Sequence, residues 1–165
     1  MSQEPDAEQR TVVILDGLGL AYELIRIDPD FADTAAFCER YGYSADHAGN
    51  TILVASKKEP KQHAACVVLA TTRLDVNHAV RDLMGASKLS FASADEMAQV
   101  TGMKVGGVTV FGLPAAVPVF VDERVMALDY VILGTGGRHG KIKIAPEVVR
   151  RLPGSRVVAG LALPR

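Results

Sequence analysis

Two glycine-rich loops carry the residues of this chain whose types and spacing are best suited to chemistry. The first, TGMKVGGVTVFG (101–112), crowds Gly102, Gly106 and Gly107 among β-branched residues, and the second is GTGGRHG (134–140). Glycines packed this closely between strand formers indicate backbone that approaches another group very closely. Free N–H groups in such loops can bind a carbonyl or phosphate oxygen, as in an oxyanion site. The alternative is a pair of tight turns without a ligand.

The other motifs that carry chemistry are weak or missing. His63 and Cys66 have a metal-ligand spacing, but no second pair completes a metal site, so no metal is expected. The GTGGRHG loop lacks the G-x-G-x-x-G spacing and precedes a strand rather than a helix, which argues against a dinucleotide site. Neither a GxSxG nor an HExxH motif occurs.

Length and composition predict one soluble, cytoplasmic domain spanning residues 1–165, with residues 1–5 disordered. A formal net charge of −1 gives no overall basic footprint for duplex DNA, although it allows a local basic rim around one pocket. Two cysteines are too few for a disulfide framework, which favours a reducing compartment. No apolar run approaches the roughly 20 residues that span a bilayer, and the polar N-terminus is not a secretory signal.

Short apolar runs separated by turn residues predict a mixed α/β domain. Strands are expected at 22–27, 51–56, 64–70, 88–91, 117–122, 130–133, 141–144 and 157–163. Helices are expected at 12–18, 34–41, 76–84, after the capping-box pattern of Ser93 and Glu96, and at 146–151. Because the elements do not alternate strictly as βαβ, we expect a strongly curved, barrel-like mixed sheet flanked by helices.

In chain order, the sequence resembles the YbaK family of aminoacyl-tRNA deacylases, relatives of the editing domain inserted in bacterial prolyl-tRNA synthetases. The resemblance covers nearly the full length. The segments that carry it are TILVAS (51–56), TTRLDVNHAVRDLMGASKLSFAS (71–93), TGMKVGGVTVFG (101–112), VPVFVDE (117–123) and GTGGRHG (134–140). The resemblance implies a curved mixed sheet, no metal or organic cofactor, and a substrate that is the aminoacyl ester at the 3′ end of a mischarged tRNA.

The resemblance also implies a site. Such enzymes use the tRNA's own ribose hydroxyl, backbone amides and a lysine, and an aminoacyl-tRNA synthetase is a further partner that the resemblance allows. The candidate substrate-binding residues are Thr101, Gly102, Gly106, Gly107, Val108, Thr109, Thr135, Gly136, Gly137 and Arg138. Arg138 is a candidate because a guanidinium beside Thr135 suits a phosphate or carboxylate contact.

Two positions depart from the family pattern. Asn50 stands where the family has its lysine, and Val110 stands where it has a proline. Asparagine can donate a hydrogen bond but carries no charge for a phosphate or a developing anion. The catalytic candidates are therefore Asn50 itself and Lys104, whose ammonium we expect at the pocket rim or on the terminal phosphate.

Three hypotheses of function follow. The leading one is a trans-editing deacylase, a hydrolase that removes a small wrong amino acid with atypical catalytic residues. The alternative, favoured by Asn50, is a non-catalytic binding protein that keeps the pocket but has lost the lysine-dependent chemistry. A structural interaction domain without a ligand ranks last because both glycine loops are present.

Overall fold

The computed structural model describes residues 6–165, which contain ten strands in three sheets, five α-helices, three 3-10 helices and one π-helix. The disorder expected for residues 1–5 lies outside this part. The helices are α1 (Ala7–Leu18), α2 (Thr34–Tyr41), α3 (Arg81–Met84), α4 (Ala94–Thr101) and α5 (Glu123–Met126). The strands are β1 (Tyr22–Arg26), β2 (Gly49–Ser56), β3 (His63–Leu69), β4 (Thr72–Leu74), β5 (Leu89–Phe91), β6 (Val119–Asp122), β7 (Val131–Gly134), β8 (Gly140–Ile144), β9 (Ser155–Val158) and β10 (Ala162–Pro164). No helix within the described range is long and apolar enough to cross a membrane.

The largest sheet has five strands in the order β5-β2-β3-β6-β9. β2 pairs antiparallel with β3 and β5, whereas β3, β6 and β9 are parallel. The polar segment 57–62 closes the β2–β3 hairpin, as its composition predicts. β3 is buried on both faces because one large core cluster packs on one side and a second cluster packs on the other.

A second sheet is antiparallel, with the order β1-β8-β7. Its register places Lys141 of β8 between Ile25 of β1 and Gly134 of β7. Strands β4 and β10 form a separate two-stranded ladder.

The mixed α/β class is confirmed, but the described strands do not close into the expected barrel. The five-stranded and three-stranded sheets meet at a single parallel bridge between Ala48 and Ile132. Gly49 permits this contact, since a Cβ there would lie 3.0 Å from side-chain atoms of both Val131 and Leu133. Strands β1, β7 and β8 pair with one another, so the main sheet ends without closing on itself.

Several predicted elements differ in detail. The helix predicted at 76–84 is a π-helix at Val76–Val80 followed by α3. The predicted strand at 157–163 is split between β9 and β10 by a turn in which Gly160 has φ +72°. The predicted last helix is a 3-10 helix, Pro146–Arg151, with its proline in the first turn. Helix α4 begins at the Ser93 cap, as expected, and ends where Gly102 adopts φ +71°. The first glycine of the 101–112 loop therefore serves as a helix terminus.

Candidate functional site

The two glycine-rich loops pack directly on each other. A Cβ on Gly107 would lie 2.0 Å from the carbonyl oxygen of Gly137, and one on Gly134 would lie 2.6 Å from the carbonyl oxygen of Val108. The Gly136 N–H donates to the Gly107 carbonyl at 2.5 Å. The close approach that these glycines permit is therefore backbone against backbone.

Several amides of these loops are engaged within the loops themselves. The Gly107 N–H donates to the Lys104 carbonyl at 2.9 Å, and the Gly137 N–H meets the Thr135 hydroxyl at 3.3 Å. Together with the Gly136 bond, these contacts fix the shape of both loops. The amides of Gly107, Gly136 and Gly137 are therefore bonded within the loops rather than turned towards a ligand, and the loops form a wall of the site.

A cavity of about 280 Å³ lies at the seam between the two larger sheets, against this wall. Strand β2 contributes Asn50 and Thr51, the first loop contributes Gly106 and Val108, and β8 contributes Lys141. Strands from two sheets and a glycine loop thus converge on one small space. Several polar groups that converge on one small concave space are a feature of ligand sites.

The polar side chains that β2 contributes to the cavity do not use all of their hydrogen-bonding groups within the protein. The Thr34 hydroxyl donates to the Asn50 side-chain oxygen at 2.7 Å, which leaves the Asn50 amide N–H groups as the donors that can reach a ligand. The Thr51 hydroxyl is buried and has no hydrogen-bond partner within residues 6–165. A buried hydroxyl without a partner is costly, so Thr51 is an unusual residue in the wall of the cavity.

Lys141 also lines this cavity, and the sequence interpretation did not include it among the candidate site residues. It is 7% exposed, and its Nζ donates to the Gly106 carbonyl at 2.8 Å, 5.9 Å from the centroid of the Phe37 ring. Burial lowers its pKa to about 8, and the nearby Asp33 carboxylate opposes this shift. The sequence predicts a strand at 141–144, and in the structure Lys141 is buried on this strand opposite Gly134 of β7, whereas Lys143 is half-buried.

Arg138 lines a neighbouring cavity and holds the first loop in place. Its guanidinium donates to the carbonyls of Val105, at 2.6 Å, and Pro29, at 2.8 Å. It also lies 3.7 Å from the Asp33 carboxylate. Gly106 has φ +84°, and a Cβ there would lie 2.5 Å from Arg138 Nη1, so this position requires glycine.

A second cavity, of about 560 Å³, lies between the glycine loops and the start of α1. It groups the cations Arg10, Lys104 and Arg138 with the carboxylates Asp6 and Glu8. Lys104 is exposed there and does not line the smaller cavity. Its position suits a contact with a phosphate outside the small cavity rather than one with a group inside it.

The structure divides the predicted site residues among three places. The smaller cavity has Asn50, Gly106 and Val108, whereas the larger has Gly102, Lys104, Gly136, Gly137 and Arg138. Thr101, Gly107, Thr109 and Thr135 are buried behind the loops. No cluster of three potential metal-ligating side chains occurs within residues 6–165.

Comparison with known proteins assigns the family. Residues 28–152 match the aminoacyl-tRNA editing domain, and the chain belongs to that family, which confirms the resemblance to YbaK-like proteins. The prolyl-tRNA editing protein ProX of Acetoanaerobium sticklandii is 25% identical over 152 residues, covering 89% of this chain and 90% of its own.

Solved structures share the fold over nearly the whole chain. The crystal structure of hypothetical protein APE2540 matches with a TM-score of 0.82 at 25% identity, covering 93% of this chain and 99% of that one. A candidate trans-editing enzyme for prolyl tRNA synthetase matches with a TM-score of 0.78 at 19% identity, covering 96% and 98%. The architecture described above is therefore a known one.

Proposed function

We propose that this protein is a trans-editing deacylase that hydrolyses the ester of a tRNA carrying a small, wrong amino acid. The observation that carries the proposal is the cavity of about 280 Å³ in which Asn50, Gly106 and Lys141 converge. It lies within the part of the chain that matches the aminoacyl-tRNA editing domain. The cytoplasm, where aminoacyl-tRNAs serve translation, is the compartment that this proposal implies.

The groups around the cavity suit an aminoacyl ester. Such an ester carries an α-ammonium group next to a carbonyl, and the cavity offers the Asp33 carboxylate at its rim and donors from Asn50 inside. Ile52 and Met97 also line the cavity, so a small side chain is favoured over a large one. Excluding a large amino acid by size is how an editing site separates wrong from right.

The proposed reaction is a simple hydrolysis. The oxygen of a water molecule attacks the ester carbonyl carbon, and the bond between that carbon and the ribose oxygen then breaks. The ribose oxygen takes up the proton that the water loses, which gives a free amino acid and an intact tRNA. The resemblance implies that the neighbouring ribose hydroxyl assists. Two similar proteins are named for editing of prolyl-tRNA or for prolyl-tRNA synthetase. A tRNA charged by prolyl-tRNA synthetase is therefore the first substrate to test.

A non-catalytic binding protein is the second candidate function. The observation that favours it is Asn50, because an amide on the β2 wall cannot stabilise charge as an ammonium does. On this proposal the chain binds the 3′ end of aminoacyl-tRNA without hydrolysing the ester.

A panel of mischarged tRNAs, incubated with the wild type and with Asn50→Lys, tests both proposals. Asn77→Lys is the matched control, since it adds the same charge at an exposed position outside the small cavity. Hydrolysis by the wild type supports the deacylase. Hydrolysis that appears only in Asn50→Lys supports the binding protein, and a wild type that neither hydrolyses nor binds any aminoacyl-tRNA contradicts both.

A further inference from the structure

We infer that the Lys141 ammonium binds the carbonyl oxygen of the aminoacyl ester and supplies the positive charge of this site. The inference rests on the proposed function. Lys141 approaches from β8, whereas the resemblance places a lysine at position 50 on β2. These strands belong to different sheets, yet both line the same cavity, so a charge can enter from either wall.

The environment of the Lys141 ammonium is that of a functional group rather than of a structural ion pair. Among the described residues, Lys141 is the only buried lysine, and its hydrogen bond goes to the neutral carbonyl of Gly106. The carboxylate of Asp33 lies at the exposed rim and acts on the ammonium at longer range. A buried cation without a close counter-ion destabilises a fold, and such groups concentrate at functional sites.

Lys143 shows what an ordinary lysine on the same strand does. It lies two residues further along β8 and is half-buried, with its Nζ 4.4 Å from the centroid of the Tyr130 ring. It does not line the cavity. The two lysines therefore share a strand and a charge but differ in their access to the site, which makes Lys143 a matched control.

The chemistry requires no proton from Lys141. An ammonium has three N–H donors. One of them donates to the Gly106 carbonyl, so the others are available to an oxygen in the cavity. As water attacks, the ester carbonyl oxygen becomes negative, and the ammonium stabilises it. The bond to the ribose oxygen then breaks, the water's proton passes to that oxygen, and Lys141 keeps its own protons throughout.

Deacylation kinetics with the most active aminoacyl-tRNA of the panel test this role. Lys141→Met is expected to lower kcat about 100-fold, the loss typical of removing one oxyanion donor, whereas Lys143→Met changes it less than about twofold. The double variant Asn50→Lys/Lys141→Met restores a positive charge from the opposite wall, and its kcat is expected to exceed that of Lys141→Met at least about tenfold. A structural role for Lys141 does not predict this recovery.

The pH profile is a second readout. The charged groups that act on Lys141 are Asp33 and Arg138, the Cys38 thiol is a third titratable group nearby, and the Lys141 pKa is about 8. Since the protonated form is the active one, wild-type kcat is expected to fall above about pH 8 after subtraction of the uncatalysed rate. The residual activity of Lys141→Met lacks this fall. A wild-type profile that rises through this range contradicts the inference.

A binding measurement separates this inference from the proposed function. NMR of the Lys141 and Lys143 side chains is recorded with an aminoacyl-adenosine whose ester is replaced by an amide, which resists hydrolysis. A shift confined to Lys141 supports the inference even if the wild type hydrolyses nothing and the proposed function fails. If the wild type is active, equal activity in Lys141→Met overturns the inference alone. An unshifted Lys141 signal overturns it in either case.

Discussion

The buried ammonium of Lys141 makes the stability of the protein depend on pH, whatever the protein hydrolyses. Burial lowers its pKa from 10.5 to about 8. Between these values the unfolded chain binds a proton that the folded chain has lost, so the free energy of unfolding rises with pH in this window. Below about pH 8 both states are protonated and the wild type bears the full cost of the buried charge, about 3 kcal/mol.

Urea unfolding of the wild type and Lys141→Met measures this dependence. We expect Lys141→Met to exceed the wild type in stability below about pH 8, by up to about 3 kcal/mol, and the difference to shrink as the pH approaches about 10. Lys143→Met is the reference, because it removes the same charge from the same strand at a half-buried position. A difference between wild type and Lys141→Met that stays constant with pH contradicts this expectation.

The sequence could indicate some residues of the site but not the one with the most unusual environment. Asn50 and the glycines stand in motifs whose order along the chain is informative. Lys141 stands in an alternating strand in which lysine is an ordinary solvated residue. Its burial depends on the β7–β8 register and on the packing of α2, both of which are contacts between distant parts of the chain.

Among the elements, the paired glycine loops are the part that tolerates least change. Gly107→Ala places a Cβ 2.0 Å from the Gly137 carbonyl oxygen, and the three nearest atoms are all backbone atoms of Gly137, so no side chain can move away. We expect a loss of about 2–3 kcal/mol in the free energy of unfolding, as for overpacking of a core, together with loss of any activity of the site. Thermal or urea unfolding measures the first effect.

Gly17→Ala is the matched control for that substitution. Gly17 lies within α1 and is exposed, and a Cβ added there would have no neighbouring atom within 4 Å. Alanine at this position is expected to raise stability by about 0.5–1 kcal/mol, because it favours the helix more than glycine does. Equal effects of the two substitutions would show that the loops are not packed as described.

Local elements were predictable to a greater extent than their assembly. The β2–β3 hairpin and the Ser93 cap depend on neighbouring residues and were correctly predicted. The barrel was not confirmed, because closure depends on how β7 meets the start of β2, and within residues 6–165 a single bridge, from Ala48 just before β2 to Ile132 of β7, joins the two sheets. Gly160 also splits the last predicted strand, a turn that apolar patterning alone does not reveal.

On the scale of the whole molecule, positive and negative charges nearly balance. The formal net charge is −1, so long-range attraction to a nucleic acid is weak. The cations that line the larger cavity, Arg10, Lys104 and Arg138, lie beside the glycine loops and share that space with Asp6 and Glu8. In the proposed function, the cations of the larger cavity contact the last phosphates of the tRNA while the ester enters the smaller cavity.

The salt dependence of tRNA binding tests this arrangement. If two phosphates of the single-stranded 3′ end are neutralised, the logarithm of the affinity falls with the logarithm of salt concentration with a slope of about −1.4. Lys104→Ala removes one contact and is expected to weaken binding and bring the slope to about −0.7. Lys57→Ala, an exposed lysine on the β2–β3 hairpin away from both cavities, is expected to leave the slope unchanged. A wild-type slope near zero, or equal slopes for Lys104→Ala and the wild type, contradicts a phosphate contact at the larger cavity, because counterion release must accompany it.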